Sequence, residues 1–181
     1  MDPYLYPGTN VLRNLRDIRD PERLAEFEAN ATGERITQLE EKPVIGSFDS
    51  GQLQNLHHYI FQDVYGWAWG VSYRQYWEVW RPLKEHIVSS LNKTFAELTE
   101  ERDLSGADLK RFCNRGAYYL GEVNAIHPFR EGNGRTQREL MRQLALRHGL
   151  IIEWSRVSRE QMIDASQAEF SPRLRGTRAT A

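Results

Sequence analysis

The sequence predicts a mostly α-helical bundle with one small β-hairpin. Three observations carry that reading. Apolar residues recur at helical spacing through most of the 181 residues. Capping residues stand where those periodic stretches begin. One segment breaks the period: residues 67 to 82, WAWGVSYRQYWEVWRP, hold four of the five tryptophans and two tyrosines, punctuated by Gly70 and Pro82. That is the composition of short strands around a turn.

The elements follow in order. The opening MDPYLYPGTN, with two prolines and a glycine, reads as an extended arm, and residues 1 to 20 are set apart on that basis. Asp20-Pro21 supplies an N-cap followed by proline at the first helical position, which predicts a weakly apolar helix over residues 21 to 40. Asp49 or Ser50 caps a second helix with Leu53, Leu56, Ile60 and Val64 on one stripe and Phe61 beside it, ending near Gly66. A third starts near Leu83 and carries Leu83, Ile87, Leu91, Phe95 and Leu98. Ser105-Gly106-Ala107-Asp108 has a capping-box pattern and opens a fourth, with Leu109, Phe112, Cys113, Leu120 and Val123 on its inner face. That helix stops at His127-Pro128, because a residue before proline is pushed out of the helical region. A fifth begins at Gly134 or Arg135, with Leu140, Met141, Leu144 and Ala145 inward and Gly149 as its C-cap. A last helix is expected over residues 159 to 168. Residues 21 to 170 form a single domain, and residues 171 to 181 a flexible basic tail.

Composition narrows the class. Hydrophobic residues make up 40% and charged residues 27%, as in soluble globular proteins. A net charge of −1 gives no basic field, so direct nucleic-acid binding is not expected. No apolar run approaches the roughly 20 residues of a membrane span. One cysteine, Cys113, excludes an internal disulfide and fits a reducing compartment. The start of the chain lacks the basic and apolar regions of a secretory signal, so a cytoplasmic protein is expected, with export by another signal left open. His57 and His58 are neighbours and so point apart, which gives no chelating pair. Cys113 is expected in the core, and His86, His148, Arg130, Arg142 and Arg147 on a solvated surface.

The chemistry concentrates in HPFREGNGRTQR, residues 127 to 138. Gly132 and Gly134 permit close backbone approach at a helix start, where N–H groups and the helix dipole favour an anion. Arg135 and Arg138, at i and i+3, share a face and can span successive phosphates bidentately. Glu131 beside a phosphate site calls for an intervening cation, and magnesium takes one or two carboxylates plus phosphate oxygens. Asn133 can donate its amide to a phosphate oxygen. His127, an imidazole with an ordinary pKa of about 6.5, suits a general base that takes the proton of an attacking hydroxyl. The residues thus point to magnesium-dependent phosphoryl or nucleotidyl transfer to a hydroxyl, without saying which phosphorus is attacked.

This stretch resembles the signature of the Fic family, HPFx[D/E]GNGRxxR, at every specified position. The resemblance extends to GSFDSGQLQNLHHYIFQDVYGWAW, GAYYLGEVNAIHPF and GLIIEWSRV, and so across most of residues 45 to 160; DPYLYPGTNVLRNLRDIRDPERLAEFE resembles the start of the stand-alone Fic toxins. It implies a Fic-type helical bundle that moves AMP from ATP to a Ser, Thr or Tyr hydroxyl of a target protein and releases pyrophosphate. It assigns His127 as base, Phe129 as core anchor, Glu131 to magnesium, Gly132, Asn133 and Gly134 to the anion hole, and Arg135 and Arg138 to the β- and γ-phosphates. Phosphorylating relatives carry lysine at the position of Gly134. Where the family shows WAG, an arginine and a flap that docks the target, this chain reads WAWGVSYRQYWEVWRP.

The family's inhibitory pattern, [S/T]xxxE[G/N], is not matched: residues 37 to 42, TQLEEK, have the Thr and Glu spacing but end in lysine. A separate small antitoxin is therefore expected, supplying a glutamate near Arg138. Three functions follow from the resemblance: a cytoplasmic toxin acting on DNA gyrase and topoisomerase IV, the Fic domain of a secreted effector modifying small GTPases in the host cytosol, or a nucleotide- or partner-binding module without turnover.

Overall fold

The computed structural model describes residues 2–44, 46–68, 81–158, 160–162 and 164, with the backbone alone for 81–85. Five α-helices organise it: α1 (Pro21–Glu41), α2 (Ser50–Phe61), α3 (Arg81–Glu100), α4 (Leu109–Ile126) and α5 (Asn133–Arg147). The mostly α class is as expected. The 69–80 part of the expected hairpin, the 171–181 tail and most of the last expected helix lie outside the described residues, though 160–162 and 164 are helical. Among the described residues no helix is long and apolar enough to cross a membrane.

Three aspartates start helices. The carboxylates of Asp20, Asp49 and Asp108 accept from the backbone N–H three residues on, at 2.8, 2.7 and 2.7 Å. Each satisfies one of the donors a helix leaves open at its start. The third differs from expectation. Asp108 is itself the N-cap, where the capping-box pattern gave that place to Ser105. Helix α2 also ends earlier than expected. It stops at Phe61, whose carbonyl accepts from both Val64 and Tyr65 at 3.0 and 2.9 Å, and the chain then turns while Val64 and Tyr65 remain buried.

Helices α2 and α5 form the centre. α2 packs on α1, α3 and α5, and α4 packs on α3 and α5. Leu53, Leu56, Ile60 and Phe61 of α2 are fully buried, as are Leu144 and Ala145 of α5 and Leu91 and Leu98 of α3. Each such leucine contributes about 1.5–3 kcal/mol by leaving water.

Several surface and core assignments are corrected by packing. The inner face of α4 is Phe112, Gly116, Tyr119 and Val123; Leu109 and Cys113 fall off that stripe and are exposed. The first residues do not extend freely. Leu5 and Leu12 pair in an antiparallel bridge, Tyr6 and Val11 are buried, and Leu15 N–H donates to the Val64 carbonyl at 2.9 Å. Trp67 stacks on Tyr65 at 4.4 Å and its Nε1 donates to the Arg13 carbonyl at 2.9 Å. Three basic residues expected in solvent are engaged instead: Arg130 pairs with Asp2 at 3.0 Å, Arg142 with the buried Glu139 at 2.7 Å, and His148 Nε2 lies 2.6 Å from the Asp103 carbonyl. Arg147 and His86 are exposed, as expected.

Candidate active site

The α4–α5 connection is a tight loop closed on itself. Helix α4 ends at Ile126, and His127, before Pro128, takes a left-handed conformation (φ 49°, ψ 61°) with its N–H on the Val123 carbonyl at 3.1 Å. Non-glycine residues adopt that region at a cost of about 1–2 kcal/mol, and such strain gathers at functional positions. His127 is exposed, whereas Pro128 and Phe129 are buried. Phe129, 1% exposed, is the anchor the sequence implied. Asn133 then closes the loop: its Nδ2 donates to the Phe129 carbonyl at 2.7 Å, and its Oδ1 accepts the Phe129 N–H at 2.9 Å. The Asn133 amide thereby gives its Oδ1 and one of its two Nδ2 hydrogens to the loop. Its main-chain N–H in the first turn is a further donor for an anion.

Gly132 is required for two reasons. Its φ of 83° suits glycine, and a Cβ there would stand 2.1 Å from the ring of Phe61. From it α5 begins, and its first N–H groups, those of Asn133, Gly134 and Arg135, have no carbonyl four residues back within the helix. They form the positive end of the helix dipole.

A residue that sequence reasoning passed over fixes this loop from below. His57 of α2 is fully buried. Its ring stacks on Phe129 with centroids 3.9 Å apart and planes 8° apart. Nε2 lies 3.0 Å from the Glu131 carbonyl and Nδ1 3.1 Å from the Ala68 carbonyl. A neutral ring has one N–H and donates to one of the two. Burial is the main reason its pKa is lowered to about 4, with the charges of His58 and Arg135 adding to it against the two carbonyls. The signal was present: His57 sits four after Leu53 and three before Ile60, in core register, where a polar side chain marks a hydrogen-bonded group.

The charged residues of the motif fall into two states. Arg135 is engaged. It pairs with Glu28 of α1, donates to Thr32 Oγ1 at 3.0 Å, lies 3.5 Å from Glu131 Oε1, and covers the Phe61 ring at 4.6 Å. Arg138, one turn on, is partly buried, and its guanidinium has no hydrogen-bond acceptor or ion-pair partner among the described residues. Burial, and then the charge of Arg135, lower its pKa. The main chain of Arg138 is held by Trp154, whose Nε1 donates to its carbonyl at 3.2 Å. The loop between α4 and α5 thus carries His127 and Glu131, the first two turns of α5 carry the open N–H groups and Arg138, and Arg135 is turned partly to α1.

Glu131 fits a metal shared with a nucleotide. Its Oε1 accepts the Gly132 N–H at 2.9 Å, while Oε2 has no partner among the described residues and the side chain is 42% exposed. Among the described residues no three His, Cys, Asp or Glu side chains could hold a metal ion between them. One exposed carboxylate with an oxygen that has no partner among the described residues would suit magnesium, which takes one or two carboxylates plus phosphate oxygens.

The surrounding sequence and fold have close counterparts. The chain is 38% identical over 91% of its length to the protein adenylyltransferase VbhT of Bartonella schoenbuchensis, of which it spans only 35%. It is 38% identical over 94% of its length to the probable protein adenylyltransferase y4lH of Sinorhizobium fredii and 31% identical over 92% to the probable protein adenylyltransferase Fic of Escherichia coli, spanning 88% and 84% of them. Its fold superposes on the N-terminal Fic domain of a VirB-translocated effector from Bartonella quintana, solved with bound ADP (TM-score 0.80, 26% identity, 90% and 84% of the two chains), and on the type IV secretion system effector BepA (TM-score 0.81, 26% identity, 91% and 62%). The Fic/DOC family model matches residues 47–145. The chain belongs to the Fic/DOC family.

Proposed function

We propose that this protein is a protein adenylyltransferase that moves AMP from ATP to a Ser, Thr or Tyr hydroxyl of a target protein. The observation that carries it is that one motif sets an exposed His127 at the end of α4 and, in α5, a partly buried Arg138 that has no partner among the described residues, beside the open first turn of α5. A binding module needs the cation and the open N–H groups, but it does not need the imidazole. The names of the relatives support the same reading.

Each residue then has one task. His127 takes the proton of the target hydroxyl as its oxygen forms a bond to the α-phosphorus. The bond from that phosphorus to the bridging oxygen breaks, and pyrophosphate leaves with its charge. The N–H groups of Asn133, Gly134 and Arg135 hold the phosphate oxygens, and Arg138 the distal phosphates, aided by Arg135. Glu131 would hold magnesium, which neutralises phosphate charge when bound.

As to role, a bacterial toxin with DNA gyrase or topoisomerase IV as target is the first choice. That Arg138 has no partner among the described residues supports it, because a separate antitoxin could place an inhibitory glutamate there. A second reading, an effector that modifies host small GTPases, is favoured by the fold likeness to translocated effectors. Incubation with magnesium, α-labelled ATP and a bacterial lysate tests the reaction. Labelled protein bands that vanish in His127→Ala support it, and bands that persist in that variant overturn it. Labelling in a host-cell lysate alone would favour the effector.

A further inference from the structure

Arg135 and Arg138 are alike in sequence and differ in company. The groups around Arg135 form a cradle in which every hydrogen-bonding role is fixed. Glu28 takes Arg135 on Oε1 and the Tyr65 hydroxyl on Oε2. Burial, and then the charge of Glu28, push the Tyr65 hydroxyl above its usual range, so it stays a donor. Thr32 donates its hydroxyl hydrogen to the Glu28 carbonyl at 2.7 Å, one turn back, which leaves a lone pair for Arg135 Nη1 at 3.0 Å. The Phe61 ring covers the guanidinium face. The Glu28 side chain is 14% exposed and that of Arg135 23%, so water competes little for either.

The other side of this guanidinium meets the motif. Arg135 Nη2, which Glu28 holds, is also 3.5 Å from Glu131 Oε1. That same oxygen accepts the Gly132 N–H at 2.9 Å. Oε1 of Glu131 is thus pinned from two directions, and Oε2 is the oxygen with no partner among the described residues. The order across the site is carboxylate, guanidinium, carboxylate: Glu28, Arg135, Glu131.

We infer that Glu28 is a positioning residue which, by holding Arg135 as a fixed strut between α1 and the motif loop, aims the carboxylate of Glu131. This rests on the reading of Glu131 as the magnesium-holding residue of the proposed function. Arg135 then aids the phosphates only from that fixed position. Its charge balances two carboxylates, and the distal phosphates depend on Arg138. The opposite role for Glu28 has the opposite signature. A Glu28 that merely competed with the nucleotide for Arg135 would, once removed, release a cation and tighten nucleotide binding.

The test measures the dissociation constant of a fluorescent ATP analogue with and without magnesium chloride, for the unaltered protein, Glu28→Gln, Arg135→Ala and the double variant. The magnesium gain is the ratio of the two constants. Loss of a group that orients a metal-binding carboxylate lowers metal affinity about 10- to 100-fold, so the gain falls by that factor in Glu28→Gln. Affinity without magnesium, which also reports that the variant is folded, stays within about twofold for Glu28→Gln. The double variant loses no more of the magnesium gain than Arg135→Ala alone, because both substitutions break one strut. Tyr65→Phe, which frees one oxygen of Glu28, gives a smaller loss of the same sign. An unchanged magnesium gain in Glu28→Gln overturns the strut, and tighter binding without magnesium overturns it in favour of competition. If the unaltered protein gains nothing from magnesium, the assignment of Glu131 falls and the strut with it. If it gains from magnesium but labels no protein in any lysate, the transfer reading fails while the strut stands.

Discussion

Helix α5 carries two polar regions built on opposite terms. In its middle turns Glu139 is held by Arg142 through Nε and Nη2 at 2.7 Å each, Gln143 donates to the same carboxylate at 2.7 Å, Gln52 of α2 donates to Gln143 at 3.1 Å, and Arg142 reaches the Leu39 carbonyl of α1 at 2.9 Å. In its first turn, and in the loop that leads to it, Glu131 shows an open oxygen, Arg138 has no acceptor among the described residues, and three N–H groups lack a helical carbonyl. Polarity that is paired fastens three helices together. Polarity left open beside solvent can be completed by a ligand. The second depends on the first, because groups aimed at a ligand must be held by groups that are not.

The largest expected effect falls on the open region. His127→Ala should slow transfer about 10²- to 10⁴-fold, the range a positioned acid or base supplies. Thermal unfolding should move little, since the side chain is exposed and alanine keeps the same Cβ in the left-handed backbone. Nucleotide affinity should stay where it was. If affinity and transfer fall together, His127 belongs to the binding frame and the division drawn above is misplaced.

Arg142→Ala probes the paired region. Glu139, whose side chain is 3% exposed, would be left buried without its cation, and removing one partner of a buried pair costs about 3–5 kcal/mol. Urea unfolding measures this directly. The magnesium gain in nucleotide binding should persist at temperatures where the variant is folded, because the Arg142 side chain bonds to Glu139 and Leu39 and to no motif side chain among the described residues. A loss of that gain without a loss of stability would reverse the roles of the two regions.

How far the sequence revealed this arrangement follows the same division. The motif was legible because twelve consecutive residues build the loop and the first turn of α5, so spacing alone places them. The start of α1 and the cap of α2 were legible for the same reason: an aspartate answers an N–H three residues away. The frame was not. His57 meets Glu131 across 74 residues, Glu28 meets Arg135 across 107, and Arg142 meets Leu39 across 103. Core register marked His57 as buried but not what it meets, and no local pattern set Glu28 or Arg142 apart from a residue in solvent, which is why Arg142 read as surface. Cys113 and Leu109 failed in the other direction, since helical spacing names several faces and only neighbouring helices choose one. That the Asn133 amide also closes the loop on Phe129, four residues before it, was not read from the spacing.

His57 sharpens the comparison by pH. Its pKa stands at about 4 in the fold against an ordinary 6.5. Below 6.5 the unfolded chain therefore takes up a proton that the folded chain excludes until near pH 4. Its contribution is fully present above pH 6.5 and is lost as pH falls through that window, by about 3 kcal/mol in total. His57→Phe keeps a ring against Phe129 and removes the titration, so its thermal midpoint should lie lower at neutral pH yet fall less between pH 6.5 and 4. An equal fall in both proteins would place the acid sensitivity elsewhere.

The smallest effect is the most discriminating. Arg138→Ala removes a cation that no described carboxylate needs, so nothing is stranded by its loss, in contrast to Arg142→Ala. Stability should hold or rise slightly, because a partly buried charge whose pKa is lowered by burial and by Arg135 is itself a burden on the fold. Nucleotide binding should weaken about 10- to 100-fold, the worth of hydrogen bonds to a charged group at about 1.5–3 kcal/mol. Isothermal titration with ATP and magnesium, run beside urea unfolding of the same preparation, reads both quantities. Two arginines four residues apart on one helix should thus give crossed results: one lowers stability and spares binding, the other spares stability and lowers binding. A fall in stability for Arg138→Ala would mean that a group outside the described residues pairs with it, and that this end of α5 is as closed as its middle.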